Sequence, residues 1–253
     1  LKLVSTPKTA YLEGSLHSFH NAVNGLTSNH DKQKWVNYND FTFSDLLKVL
    51  DILKEKLNYD LSQTKITICE LGFNVIIDVP PKDFIDNHVL MYKLRYPCFN
   101  PKYKDRMKIK KCELENYYLK IYDKSLQFGL SDNILRYEIG FKSDELKECD
   151  VCSLEDLRSE DRISSLCNSL MKKYESLMIV DDYSGNKRMS VSNRNKMIKY
   201  TNPQFWLNNK GKYNSRSKHK AELGQIIREN KLDTRKKYLR NLIIEKYNYL
   251  ILN

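Results

Sequence analysis

Tyr118-Leu119-Lys120-Ile121-Tyr122-Asp123-Lys124 and Ile134-Leu135-Arg136-Tyr137-Glu138-Ile139-Gly140-Phe141 decide how this chain folds. Both stretches alternate polar and apolar residues, the pattern of strands buried on one side. The segment between them, Phe128-Gly129-Leu130-Ser131-Asp132-Asn133, is rich in turn formers, so the pair reads as a β-hairpin. Leu119 and Ile121 then share a face with Leu135, Tyr137, Ile139 and Phe141, and the other face carries Tyr118, Lys120, Tyr122, Arg136 and Glu138. Tyrosines, cations and a carboxylate with little apolar cover pack poorly as a core. They suit phosphate chemistry on a nucleic acid.

A similar strand lies upstream. In Cys69-Glu70-Leu71-Gly72-Phe73-Asn74-Val75, Cys69, Leu71, Phe73 and Val75 face one way, and Glu70, Gly72 and Asn74 the other. Gly72 leaves room for a close approach to the backbone, and Ile66 and Ile68 break the alternation as a bulge would. Beside the hairpin in one sheet, this strand brings Glu70 and Glu138 together near Tyr122. Two carboxylates offer hard oxygen ligands suited to Mg²⁺ or Mn²⁺. Such an ion would polarise a scissile phosphate, and a tyrosine hydroxyl attacking there forms a covalent phosphotyrosine. Lys124 or Lys120 would hold the phosphate or lower the phenol pKa, and Arg136 and Asn74 would contact DNA. The plainer alternative is packing: a strand Tyr is ordinarily structural, and an exposed sheet Glu ordinarily pairs with a Lys across the strand.

Charge points to the same partner. The 253-residue chain carries a formal net charge of +11, and 17 Lys and Arg against 4 Asp and Glu fall between Tyr183 and Asn253. The rest of the chain is close to neutral, so the basic excess is C-terminal. Tyr200, Phe205 and Trp206 are interleaved with amides there, followed by Lys210, Lys212, Arg216, Lys218 and Lys220. Cations neutralise phosphates and aromatics stack on bases, so these residues are expected to contact DNA. No run of about eighteen apolar residues predicts a membrane span. The start, Leu1-Lys2-Leu3-Val4, is too short for a signal peptide and suits a cropped or processed piece. Six scattered cysteines with a single Cys149-Asp150-Val151-Cys152 pair argue for free thiols and a reducing cytoplasm.

A strand is expected over residues 10–20. A helix follows from Thr42, capped with Asp45, to about Leu57. A long strand covers Lys65 to Val79, and a short helix starts at Pro81. After the hairpin, a helical stretch capped by Ser153 runs on to Met178, and a turn-rich linker spans 181–195. The tail is helical over about 218–230 and 234–249. Antiparallel-type strands interrupted by helices predict an α+β fold with a largely antiparallel sheet and flanking helices. The expected division is a catalytic domain over 1–182 and a basic, mainly helical, DNA-contacting extension over 183–253.

Lys120-Ile121-Tyr122-Asp123-Lys124 followed by Leu135-Arg136-Tyr137-Glu138-Ile139 resembles the paired motif of filamentous-phage and plasmid rolling-circle replication initiators. Glu70-Leu71-Gly72-Phe73-Asn74-Val75 is similar to that family's acidic strand, and the stretch from Leu146 to Leu157 is similar to its segment leading into a helix. Gly14-Ser15-Leu16-His17 and Asn39-Asp40-Phe41-Thr42 resemble bacterial and phage relatives, so the likeness covers about residues 10–180. It implies a relaxase-like sheet and an endonuclease that nicks and rejoins one DNA strand at an origin. Tyr122 would be the nucleophile and Glu70 and Glu138 the metal ligands, in the cytoplasm of a bacterial host alongside host replication proteins. The His-hydrophobic-His metal motif of the better-known branch of such enzymes is absent, since His17-Ser18-Phe19-His20 has the wrong spacing, so the resemblance requires the acidic-ligand version of the site. His17 remains a candidate third ligand, set against a structural role. Tyr118 stands four residues from Tyr122 like the paired tyrosines of some initiators, although there the pair lies on a helix. A single nucleophile is the expectation. The alternative function is a non-catalytic DNA-binding regulator of a mobile element. A structural or assembly protein with a basic tail is a third class.

Overall fold

The computed structural model of the chain describes residues 1–7, 9–26, 36–93, 108–208 and 213–253. It begins with an antiparallel ribbon of β1 (Lys2–Ser5) and β2 (Ala10–Glu13), then helix α1 (Leu16–Val23). The strand expected over 10–20 therefore stops at Glu13. Ser15 caps a helix by accepting from the Ser18 backbone N–H, and His17 lies on that helix. Helix α2 (Phe43–Leu57) has the predicted Thr42–Asp45 capping box and buries Val49, Leu50 and Leu53. Strand β3 (Ile68–Ile76) leads through Pro80 into α3 (Pro81–Asn87) and β4 (Val89–Tyr92).

Strand β5 (Ile109–Glu113) precedes the hairpin of β6 (Tyr117–Asp123) and β7 (Ile134–Lys142). The connection is more than a turn. Asp123 caps a short helix, α4 (Lys124–Phe128), which ends where Gly129 adopts φ 64, a left-handed backbone that glycine takes without strain. After α5 (Ser143–Lys147), the expected helix from Ser153 to Met178 divides into separate elements. The Asp156 carboxylate accepts from the backbone N–H groups of Cys152 and Ser153, and a single 3₁₀ turn follows at Glu155–Arg158. Helix α6 (Glu160–Tyr174) is capped by Ser159, and β8 (Leu177–Ile179) pairs with β4. Helices α7 (Val191–Thr201), α8 (Pro203–Asn208), α9 (Tyr213–Glu229) and α10 (Thr234–Leu252) complete the described chain.

Four strands form one antiparallel sheet in the order β3-β7-β6-β5. Pairing of β3 with β7 is continuous from Ile68 to Ile76, so no bulge falls within the strand. Its apolar face carries Phe73, Val75, Leu119, Ile121, Leu135, Tyr137, Ile139 and Phe141. These pack against Phe84 and Ile85 of α3, Leu166, Leu170 and Tyr174 of α6, and Leu239 and Ile243 of α10. Tyr137 meets Tyr174 edge to face at 5.4 Å.

The basic C-terminal region contributes to two cores. Helix α10 belongs with the sheet: Leu239 and Ile243 are fully buried, Tyr247 packs edge-on against Phe73, and Arg235 and Lys246 pair with Asp78 and Asp40. A second core joins Met197, Tyr200, Trp206, Leu223, Ile226 and Ile227 from α7, α8 and α9 to Leu90, Met91 and Val180. The architecture is mixed α and β with antiparallel sheets. Among the described residues no helix is long and apolar enough to cross a membrane.

Candidate functional site

Alternation along three adjacent strands sends one set of side chains to the polar face of the sheet. Register makes them neighbours: Lys120 lies opposite Glu138, Tyr122 opposite Arg136, Gly72 opposite Glu138, and Asn74 opposite Arg136. The Lys120 ammonium bridges the two carboxylates, 2.7 Å from Glu70 Oε1 and 2.7 Å from Glu138 Oε1. Glu138 Oε2 accepts from Arg136 Nε at 2.6 Å and from the Tyr122 hydroxyl at 3.2 Å. The Tyr118 hydroxyl donates to Glu70. Arg136 also donates to Asn74 Oδ1, and the Asn74 amide donates to the carbonyls of Asn37 and Tyr38.

Glycine makes this crowding possible at two positions. A Cβ on Gly72 would stand 2.3 Å from Glu138 Cβ, and one on Gly140 would stand 2.1 Å from Cζ of the Tyr118 ring. Both distances are below any real contact. Gly72 therefore admits Glu138, and Gly140 admits the aromatic ring, to lie flat across the ladder.

Burial sets the charges. Removal from water works against ionised Glu138, which is 2 % exposed. Arg136 and Lys120 outweigh that penalty and hold its carboxyl down at about 2. Lys124 is 1 % exposed and donates to Asn37 Oδ1 at 2.6 Å. Its ammonium lies 5.4 Å from the Tyr122 ring centre and 4.8 Å from that of Phe128. Burial, reinforced by repulsion from Arg136, pushes Lys124 down to about 6, so at neutral pH it is mostly an uncharged amine. Burial raises the Tyr122 phenol well above its ordinary range; Arg136 opposes the rise and Glu138 adds to it.

The expected convergence of Glu70, Glu138 and Tyr122 is present in the geometry, together with Lys120, Lys124, Arg136 and Asn74. The His17 ring is engaged by other partners. Its Nε2 lies 2.8 Å from Asn39 Oδ1 and its ring stacks on Phe41. Burial lowers His17 to about 4, with repulsion from Arg136 and Lys124 contributing, so its charged neighbours include cations. The proposed ligand set of Glu70, Glu138 and His17 is therefore not assembled, because the His17 ring is taken up by Asn39 and Phe41. Among the described residues no group of three His, Cys, Asp or Glu side chains could hold a metal ion. The two carboxylates that remain share Lys120 as their bridging cation, and this donor set does not fit the ion the resemblance implies.

Arg216, Lys218 and Lys220 lie on α9, and Lys210 and Lys212 lie outside the described residues. Lys220 is only partly exposed, and both burial and the nearby Lys236 and Lys93 lower its pKa. Sequence reasoning missed Gly140 and Asn37. A glycine inside a strand is a visible signal for the first. For Asn37 the sequence offers none, because its role depends on the fold bringing residue 37 to residue 124. No protein-family model, curated protein or solved structure matches the chain.

Proposed function

We propose that the chain cuts and rejoins a DNA strand through a covalent 5′-phosphotyrosine on Tyr122, as the resemblance to rolling-circle replication initiators implies. One observation carries this reading. The Tyr122 hydroxyl and the cations of Lys120 and Arg136 gather around Glu138 on one polar sheet face, and buried Lys124, at the start of α4, has its amine 5.4 Å from the Tyr122 ring centre. In the proposed step Lys124 takes the phenol proton while the Tyr122 oxygen attacks phosphorus. The bond from phosphorus to the 3′ oxygen breaks, and the proton on Lys124 passes to that oxygen. Lys120 and Arg136 offset the charge that gathers on the phosphoryl oxygens. Glu138 orients the hydroxyl and keeps both cations in place. The phosphotyrosine keeps the energy of the broken bond, so a free 3′ end can reverse the reaction. A relaxase-like arrangement of the sheet, and contact of the basic α7–α9 surface with flanking DNA, belong to the same proposal.

A second reading has its own support. Tyr122 is 7 % exposed, as a packing tyrosine would be, and a non-catalytic DNA-binding regulator would preserve the same face without using it. Incubation with a pool of 3′-labelled single-stranded oligonucleotides separates the two. The nicking reading predicts label that stays with the protein through denaturation. Salt-sensitive binding with no denaturation-resistant label supports the regulator.

A further inference from the structure

Within the phosphoryl-transfer reading, on which this inference rests, we infer that Lys120 is the resident cation of the site and that strand transfer proceeds on fixed cations without a divalent metal. The Lys120 ammonium occupies a position that reaches both carboxylates, at 2.7 Å from each. That is where a hard ion shared by Glu70 and Glu138 would sit. The second oxygen of Glu138 is engaged by Arg136 and Tyr122. With its side chain 3 % exposed, Glu138 has no open side for an ion with its waters. The remaining candidate donor, His17, is turned to Asn39 and stacked on Phe41.

Charge balance gives the same answer. Glu70 and Glu138 are matched by Lys120 and Arg136 before any substrate arrives. A divalent ion at the shared position would meet the Lys120 ammonium there and the Arg136 guanidinium on the other oxygen of Glu138, and Lys120 would have to leave. A phosphate faces the opposite situation, since each cation has further N–H groups with which to meet its oxygens. A metal would neutralise the charge at phosphorus; here an ammonium and a guanidinium already stand beside the nucleophile and can do so. Atoms balance as in the step above, and no ion enters or leaves.

Two measurements test the inference. The first is adduct formation by the full chain with the 3′-labelled oligonucleotide pool, in excess EDTA and in Mg²⁺ or Mn²⁺. Equal yield in EDTA is the expected result, and an adduct that forms only with metal overturns the inference while leaving the nicking reading intact. The second is Mn²⁺ titration followed by electron paramagnetic resonance, on the wild type and on Lys120→Met, each shown to be folded by circular dichroism. Removing the ammonium frees the carboxylate pair, so Lys120→Met is expected to bind Mn²⁺ at least about tenfold more tightly than the wild type. Equal affinity in the two proteins overturns the inference. If no adduct forms under any condition, the nicking reading fails, and the titration alone still decides whether Lys120 holds the cation position.

Discussion

Gly140 lies directly opposite Tyr118 in the β6–β7 ladder, and a methyl group at Gly140 would overlap the Tyr118 ring, 2.1 Å from its Cζ. The absence of a side chain at one position thus fixes the orientation of the other, and with it the hydrogen bond from Tyr118 to Glu70. Gly140→Ala is expected to lower stability by about 1–3 kcal/mol, the usual range for overpacking. Most of that loss should vanish in the Tyr118→Ala background, where the ring is gone. A double-mutant cycle by urea denaturation measures the coupling; equal losses in both backgrounds would contradict the contact.

Glu138 holds two cations in a buried setting, so its neutral analogue leaves Arg136 without a carboxylate and Lys120 with Glu70 alone. Glu138→Gln should destabilise the fold by about 3–5 kcal/mol at neutral pH. The carboxyl is lowered from 4.5 to about 2 on folding. Its contribution is therefore present above pH 4.5 and disappears as pH falls toward about 2. The stability gap between wild type and Glu138→Gln should narrow across that window, as read from denaturation midpoints. A gap independent of pH there would show that Glu138 is not held ionised.

Lys124 gives the opposite end of the pH scale. Its pKa falls from 10.5 to about 6 on folding, so between those values the unfolded chain holds more protons than the folded one. Stability should therefore rise with pH through the window, with a slope of at most about 1.4 kcal/mol per pH unit. Lys124→Met removes the titrating group, and the difference between the two proteins isolates its slope. Identical pH profiles would mean that Lys124 stays charged inside the fold.

The C-terminal helices should separate by experiment. Leu239→Ala on α10 cuts into the sheet core and is expected to cost about 2–5 kcal/mol of stability with little change in intrinsic DNA affinity. Lys218→Ala, at an exposed position of α9, should leave stability nearly unchanged. It should weaken duplex binding and reduce the salt slope by about one unit if Lys218 meets a phosphate. An unchanged slope would remove Lys218 from the interface.

Much of this arrangement was legible in the sequence because period-2 alternation assigns side chains to faces whatever lies above them. That put Lys120, Tyr122, Arg136 and Glu138 on one face of the hairpin, Glu70 joined them on the condition that its strand lies in the same sheet, and the Thr42–Asp45 cap marked the start of α2. His17 was misplaced because a short alternating run beside a serine suits a strand as well as a capped helix. The plainer alternative, a sheet Glu paired with a Lys across the strand, is met by Lys120 and Glu138, but the reach of Lys120 to Glu70 was hidden, since alternation gives a face and not a partner. Helix α10 was read as part of a basic, DNA-contacting extension because its charges dominate its composition. Only the fold shows Leu239 and Ile243 turned into the sheet.

The most direct measurement is the site of covalent attachment. After incubation with single-stranded oligonucleotides, the adduct is digested with nuclease and protease, and the modified peptide is sequenced by mass spectrometry. Tyr122 should carry the nucleotide, and Tyr122→Phe, which keeps the ring and its packing, should form no adduct while still binding DNA. Attachment at Tyr118, the more exposed tyrosine bonded to Glu70, or adduct surviving in Tyr122→Phe, would contradict the account.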